Sequence, residues 1–284
     1  MLIAVLPYGT PLDGGLHSVP TSRLRVMKGS LTGQQTVADL GTEDHLICYP
    51  DSRLVFRLHP RVGCRLSAII AEPRAIHGKF YRAIRWSWRR YFRILTFDDH
   101  LLRKLPNALP LPVGTTWVDT DLHPTKTKHM SLIASEKRAT DGHRLRHELV
   151  EWIRSRDLHV DVLGRGYKPL DRKSEGLGPY RFSVVIENSR QVGYFTEKLL
   201  DALFCDTVPI YWGDPDIGSI FDVRGMVICT DETGLRTAIQ TVTETDYRSK
   251  MKHMAANRLT ALRYLDYEMN AANLLTASLS QAIR

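Results

Sequence analysis

Residues 180–217 read YRFSVVIENSRQVGYFTEKLLDALFCDTVPIYWGDPDI. Residues 182–186 are almost continuously apolar, as in a strand that is buried on both faces of a parallel sheet. Thr196 is a favourable helix N-cap, and the apolar residues that follow Glu197 share one helical face. A second apolar run follows at residues 208–212. The segment is therefore predicted to form a βαβ unit.

The polar residues of this unit indicate a ligand site. Ligands of open α/β sheets bind outside the carboxyl ends of the strands, where Asn188 and the first turn of the helix would lie. Lys198 in that turn faces the positive end of the helix dipole, which is unfavourable unless an anion such as a diphosphate binds there. The alternative is an exposed Lys198 that pairs with Glu197.

The same alternation of apolar runs and amphipathic helices extends over the whole chain and predicts α/β architecture. A stretch rich in Pro, Thr and charge at residues 114–130 indicates a domain break. We expect an N-terminal Rossmann-like domain over residues 1–125 and a C-terminal one, ending in helices, over residues 126–284. The predicted strands cover residues 3–7, 46–49, 67–71, 93–97, 131–134, 159–163, 182–186, 208–212 and 226–229.

Composition narrows the class of protein. The chain has 284 residues, of which 43% are hydrophobic and 25% charged, and this excludes disorder, collagen and coiled coil. No apolar run approaches the roughly 20 residues of a membrane span, and no signal peptide is expected. Four widely spaced cysteines indicate reduced thiols and a cytoplasmic location. The net charge of +8 favours anionic partners, although a solvated basic surface explains it equally.

The run IENS…GYFTEKLLDAL…TVPIYWG is similar to the donor-binding signature of the family 10 glycosyltransferases, the α-1,3/1,4-fucosyltransferases. Upstream, KSEGLGPYRF at residues 173–182 resembles the bacterial members, and GRGYKP at residues 164–169 also fits. The resemblance covers about residues 130–235. It implies a GT-B fold, in which two Rossmann-like domains border a cleft. The N-terminal domain would bind the acceptor, the C-terminal domain would bind GDP-β-L-fucose, and transfer would invert the sugar.

The resemblance also implies roles for residues of the C-terminal half. Lys198 would hold the diphosphate, Glu197 would bind ribose or sugar hydroxyls, and Tyr167 would lie near the guanine. The other residues that match donor-site positions are Asn188 and Tyr194.

The family further has an arginine early in the helix after the first C-terminal strand. This chain offers Arg138, Arg144 and Arg146 in that region. We expect Arg144 to fill the role, because it opens the helix and can point back at the diphosphate. The alternative is that Arg144 lies on a solvated helix face.

Inversion needs a carboxylate that takes the proton of the acceptor hydroxyl. Glu72 is the predicted base, because it follows a buried strand and directly precedes a proline. A surface glutamate is the alternative reading. The competing carboxylates are Asp98, Asp99 and Glu187, although Glu187 is expected to orient neighbouring backbone or Asn188.

Metal-binding patterns are weak. The tripeptides at residues 119–121 and 214–216 both spell DxD, which arises often by chance. His143 and His147 have helical i, i+4 spacing but lack an evident third zinc ligand. We therefore expect no required metal or cofactor, with a divalent ion at most stimulating the reaction, because Arg144 and Lys198 can supply positive charge.

From Lys79 to Arg93 the chain reads KFYRAIRWSWRRYFR, which combines six cations with aromatic residues. The favoured interpretation is a helix that packs Phe80, Ile84 and Trp88 into a core. Peripheral contact with the inner face of an anionic membrane, or with a lipid-linked glycan, comes second. Single-stranded nucleic acid is a weaker third.

The sequence thus predicts an inverting fucosyltransferase of bacterial or viral type. It would transfer L-fucose to a hydroxyl of a glycan that contains N-acetylglucosamine or glucose. The first alternative is a GT-B enzyme that uses another nucleotide sugar. The second is a basic, non-catalytic protein that binds nucleic acid or membranes. No nucleic-acid motif is present, so no nucleic-acid partner is expected.

Overall fold

A computed structural model describes residues 1–51 and 61–282. The chain divides into two compact units. The first contains Met1–Pro112, and the chain returns to it from Asp266 onward; the second is Val113–Leu265. Both units consist of mainly parallel strands and helices, so the predicted α/β class is confirmed.

The described part of the first unit contains a six-stranded sheet in the order β2-β1-β3-β4-β5-β6. Strand β2 is antiparallel to β1, and the other pairs are parallel. The described residues of this unit also form three α-helices. The bounds are β1 Ile3–Val5, β2 Arg25–Lys28, β3 His45–Cys48, β4 Arg65–Ile70, α1 Arg74–Ser87, β5 Arg93–Thr96, α2 Asp99–Lys104, β6 Ala108–Pro110 and α7 Tyr267–Ala282.

The second unit contains a five-stranded, all-parallel sheet in the order β11-β10-β9-β7-β8. Its bounds are β7 Lys128–Ile133, α3 Asp141–Ser155, β8 Asp161–Leu163, β9 Tyr180–Ile186, α4 Glu197–Phe204, β10 Val208–Trp212, β11 Val227–Ile228, α5 Glu232–Thr241 and α6 Glu244–Ala261.

The segment quoted first forms the centre of this second sheet. Strands β9 and β10 pair in register from Phe182 opposite Val208 to Ile186 opposite Trp212. Every residue of β10, and all but one of β9, is buried, because helices cover both faces of a parallel sheet. The two strands end at the same level, so the residues after Ile186 lie at the carboxyl edge of the sheet.

The unit boundary differs from the break expected near residue 125. Residues 113–125 belong to the second unit, where Thr116 Oγ1 and the Trp117 amide donate to the buried Asp201 carboxylate at 2.6 and 2.9 Å. Helix α7 belongs to the first unit, because its residues Ala271 and Leu275 pack in the same apolar cluster as strand residues of that sheet.

Within the described ranges, no helix has both the length and the apolar character that crossing a bilayer requires.

Candidate active site

The carboxyl end of β9 is in direct contact with the start of helix α3. The Gly142 amide donates to the Asn188 carbonyl oxygen at 3.2 Å. A Cβ at position 142 would lie 1.7 Å from the Glu187 carbonyl oxygen, so only glycine allows this approach. Helix α3 is therefore fixed with its N-terminus at the sheet edge where ligands of α/β proteins bind.

Glu187 is fully buried and organises the start of helix α4. Its carboxylate accepts the Thr196 amide at 2.9 Å and the Thr196 hydroxyl at 2.7 Å. Thr196 is the N-cap of α4, as the sequence predicts. Because Glu187 is committed to these bonds, it acts as a positioning residue for the loop, in line with the expectation that it orients backbone.

Lys198 and Glu197 form a charged pair beside this cap. Lys198 Nζ lies 3.1 Å from Glu197 Oε1, 3.0 Å from Thr196 Oγ1 and 3.5 Å from Glu187 Oε2. Burial opposes the ionisation of both residues. For Glu197, the charges of Lys198 and Lys173 outweigh burial and lower its pKa to about 2. For Lys198, the carboxylates of Glu187 and Glu197 outweigh burial and raise its pKa. Both side chains are therefore ionised at neutral pH.

Lys173, from the KSE motif, is a member of this charged cluster that sequence reasoning did not assign. Its Nζ lies 2.7 Å from Asp201 Oδ2, 4.0 Å from Glu197 Oε1 and 4.7 Å from the centroid of the Trp117 ring. Asp201 is fully buried, so Lys173 supplies the positive charge that its burial requires. Both residues of the pair lie in motifs visible in the sequence, Lys173 in KSE and Asp201 in TEKLLDA. The sequence does not show that these two motifs lie close together in space.

The structure brings Arg146 into the cluster and leaves Arg144 outside it. Arg146 is buried, and its guanidinium donates to the Gly142 carbonyl at 3.1 Å and to Asn188 Oδ1 at 3.0 Å. Burial lowers the pKa of Arg146, although the carboxylates of Glu187 and Glu197 oppose this shift. Arg144 is exposed and pairs with Asp141. Two residues of helix rotate a side chain by about 200°, so the two arginines point to opposite sides of α3.

Tyr167 lies next to helix α3. Its hydroxyl is 2.6 Å from His147 Nδ1, and His147 Nε2 is 3.1 Å from the Lys137 carbonyl oxygen. Since a carbonyl only accepts, Nε2 carries a proton, and in the neutral imidazole Tyr167 therefore donates to Nδ1. The Arg154 guanidinium lies 5.0 Å from the centroid of the Tyr167 ring.

Tyr194 and Asn188, the remaining predicted donor residues, lie close to Arg146. Tyr194 is buried and near enough to Arg146 to interact with it electrostatically. Asn188 is half-buried and receives the Arg146 hydrogen bond. Of the predicted C-terminal residues, the structure thus gathers Asn188, Tyr194, Glu197 and Lys198 around Arg146.

Glu72 lies in the first unit, two residues after the end of β4, and is half-buried. Its carbonyl oxygen accepts the Tyr81 hydroxyl at 3.0 Å. The competing Asp98 is buried, receives two hydrogen bonds from Arg74 at 2.9 and 2.7 Å, and caps helix α2. Asp99 pairs with Arg103. Asp98 and Asp99 are therefore each engaged by an arginine side chain.

The metal-binding patterns have other partners. Asp214 is buried and accepts the Gly193 and Asp216 amides at 3.0 and 2.8 Å, so it anchors the loop before α4. Asp119 and Asp121 are exposed. His143 Nδ1 lies 2.8 Å from the Thr140 hydroxyl, and both ring nitrogens of His147 are also bonded to protein. Among the described residues, no group of three or more His, Cys, Asp or Glu side chains is arranged to hold a metal.

Comparison with known proteins finds similarity in the part of the chain that contains this site. Residues 123–226 match the family model described as Glycosyltransferase family 10 (fucosyltransferase) C-term. The chain is 32% identical over 124 residues to the alpha-(1,3)-fucosyltransferase FucT of Helicobacter pylori. That match covers 43% of this chain and 25% of the relative, so the chain spans a quarter of the length of that protein.

Solved structures agree on the fold. An α1,3-fucosyltransferase crystallised with GDP superimposes with a TM-score of 0.50 at 14% identity, covering 80% of this chain and 81% of that one. The pneumococcal O-GlcNAc transferase GtfA, in complex with UDP and GlcNAc, gives 0.53 at 11% identity, covering 84% and 57%. The GT-B fold class predicted from the sequence is confirmed. The predicted resemblance is confirmed as well: residues 123–226 are similar to the C-terminal domain of the family 10 glycosyltransferases.

Proposed function

We propose that this protein is an inverting fucosyltransferase. It would transfer L-fucose from GDP-β-L-fucose to a hydroxyl of a glycan that contains N-acetylglucosamine or glucose. The observation that carries the proposal is the pair of cations, Arg146 and Lys198, gathered at the carboxyl end of β9 inside the segment that matches the family 10 model. A sugar nucleotide presents a diphosphate, which needs such charge in a partly dehydrated site.

Each residue of the cluster has a role in this proposal. Arg146 and Lys198 bind the diphosphate, and Arg146 takes the role first expected for Arg144. Glu197 is ionised, since its pKa is about 2, and therefore accepts hydrogen bonds from ribose or fucose hydroxyls. Tyr167 is retained as the residue near the guanine, and Asn188 and Tyr194 complete the donor site.

Donor binding requires a rearrangement at Lys198. Its ammonium has three donor protons, and Thr196, Glu197 and Glu187 surround it. A diphosphate can replace the Glu197 contact, which frees the Glu197 carboxylate for a hydroxyl of the donor. Glu187 keeps its two bonds to Thr196 and so keeps the cap of α4 in place.

The chemical step needs a base and a stabilised leaving group. The acceptor oxygen attacks C1 of fucose, the bond from C1 to the phosphate oxygen breaks, and GDP leaves with that electron pair. Glu72 takes the hydroxyl proton as general base. Arg146 and Lys198 stabilise the negative charge that develops on the diphosphate, so the proposal requires no metal ion.

We also propose that the enzyme is cytoplasmic. The four cysteines support this location, because all of them are free and buried, as is usual in a reducing compartment.

The direct test is nucleotide release. Purified protein is incubated with a glycan acceptor and either GDP-fucose, GDP-mannose or a UDP-sugar, and free nucleotide is measured. We expect acceptor-dependent release of GDP from GDP-fucose above the other donors. Preference for another donor would favour a different glycosyltransferase. No release from any donor, together with no thermal stabilisation by GDP, would favour a non-catalytic protein.

A further inference from the structure

Helix α1 of the first unit has two faces of different character. Its inner face contains Phe80, Tyr81 and Ile84, which are buried in the unit. Of the three residues predicted to pack into a core, Ile84 lies in an apolar cluster, Trp88 is half-buried against that cluster, and Phe80 is buried. The outer face is not explained by packing, because Trp86 is 90% exposed. A tryptophan is seldom so accessible in a folded domain.

The charge around Trp86 has one sign. Residues 73–97 contain seven lysines and arginines and no aspartate or glutamate. At 100° per residue, Arg82, Arg85 and Trp86 lie on the side of α1 opposite Phe80 and Ile84. Both arginines are exposed, and within the described ranges neither forms an ion pair. The outer face thus presents an aromatic ring bordered by Arg82 and Arg85, neither of which pairs with a carboxylate in the part of the chain that the structure describes.

A pocket adjoins this face. It has a volume of about 280 Å³ and lies between helices α1 and α2. Arg74 at its wall is neutralised by Asp98 at 2.7 Å, so the pocket's uncompensated charge comes from Arg82 and Arg85. The lining residues are Arg74, Gly78, Tyr81, Arg82, Arg85, His100 and Leu101. A Cβ at Gly78 would contact nothing within 4 Å, which shows that this side of α1 is open.

We propose that the outer face of α1 docks on an anionic phospholipid surface, with a lipid phosphate between Arg82 and Arg85 and the Trp86 ring among the headgroups. Charge complementarity selects this occupant, because negative membranes attract clustered basic residues. Trp86 distinguishes a membrane from a free anion, since an indole ring favours the boundary between water and hydrocarbon. Nucleic acid fits less well, because base stacking usually uses several aromatic platforms and this face exposes one.

The test is flotation of the full chain with vesicles of phosphatidylcholine, alone or mixed with phosphatidylglycerol. We expect binding only to the mixed vesicles, weakening as salt rises. Arg82→Ala/Arg85→Ala should weaken binding by about twenty-fivefold, at about fivefold for each arginine. Arg23→Ala/Arg156→Ala removes the same charge from exposed sites elsewhere and should change binding by less than about threefold. Thermal melts verify that each variant is folded.

A second readout reports insertion of the ring. Brominated phosphatidylglycerol should quench the tryptophan fluorescence of the wild type and not that of Trp86→Phe. Equal binding to both vesicle types, or equal losses in the two double variants, would overturn the proposal. Quenching that persists in Trp86→Phe would also overturn it. The same holds if an oligonucleotide displaces the protein from vesicles and this competition requires Arg82 and Arg85. None of these results depends on whether the protein transfers fucose.

Discussion

The two arginines of helix α3 allow a matched substitution. Arg146→Ala removes a buried guanidinium that is bonded to Asn188 and lies near Lys198, whereas Arg144→Ala removes an exposed one paired with Asp141. If Arg146 stabilises the departing GDP, its loss should lower kcat/KM by about 10²–10³, or about 3–4 kcal/mol, as for other preorganised charges. A surface ion pair is worth at most about 1 kcal/mol, so Arg144→Ala should stay within about fivefold of wild type.

The assay is GDP release from GDP-fucose at saturating acceptor, with GDP affinity measured separately by calorimetry. Arg146→Lys serves as a second control: it keeps the charge but loses the planar fork, so it should recover only part of the activity. Urea denaturation of each variant separates lost folding from lost catalysis. Equal activity losses in Arg144→Ala and Arg146→Ala, or normal turnover by Arg146→Ala, would refute the assignment of Arg146.

Four further outcomes are expected. Lys198→Ala should lose about 10²–10³ in kcat, and near-normal turnover would remove it from the diphosphate site. Glu72→Gln should lose about 10²–10⁴ in transfer while GDP affinity is unchanged, and full transfer would exclude Glu72 as the base. Activity should survive EDTA, and complete loss that added metal restores would contradict the proposed site. Burial and the charges of Arg146 and Lys137 lower the pKa of His143 to about 4 in the folded protein. As the pH falls below about 6.5, His143 is therefore protonated in the unfolded chain before it is protonated in the folded one. The free energy of unfolding should consequently decrease by about 2 kcal/mol from pH 7 to pH 5. His143→Gln keeps the capping interaction with Thr140 without this titration, and an equally steep pH dependence in that variant would contradict the assignment.

The centre of the second sheet was predictable from sequence because its strands are buried on both faces. Such strands appear as apolar runs, and β9, α4 and β10 match their predicted positions within a residue or two. Strands β2 and β6 were not predicted. Both lie at the edges of the first sheet, are short and are partly exposed, so neither produces a continuous apolar run.

The candidate site was predictable where its residues are close in sequence. Glu187, Thr196 and Lys198 meet because one strand, one loop and one helix connect them directly. The choice between Arg144 and Arg146 depended on the rotational setting of α3, which the contact between Gly142 and Glu187 fixes. The ion pair between Lys173 and Asp201 joins residues 28 positions apart, and no local pattern reports such a contact.

The domain boundary was located only approximately for a similar reason. The change in composition near residue 114 marks the connection, but its assignment to the second unit depends on bonds from Thr116 and Trp117 to Asp201. The return of α7 to the first unit depends on packing against strands more than 200 residues away in sequence.

The most direct test of the donor site is a crystal structure of the protein with GDP bound. We expect diphosphate oxygens within about 3.2 Å of Lys198 Nζ and of the Arg146 guanidinium, with the Glu197 carboxylate turned from Lys198 towards the ribose. A diphosphate bound elsewhere, held by Arg144, or coordinated through a metal ion on Asp214 and Asp216 would contradict it.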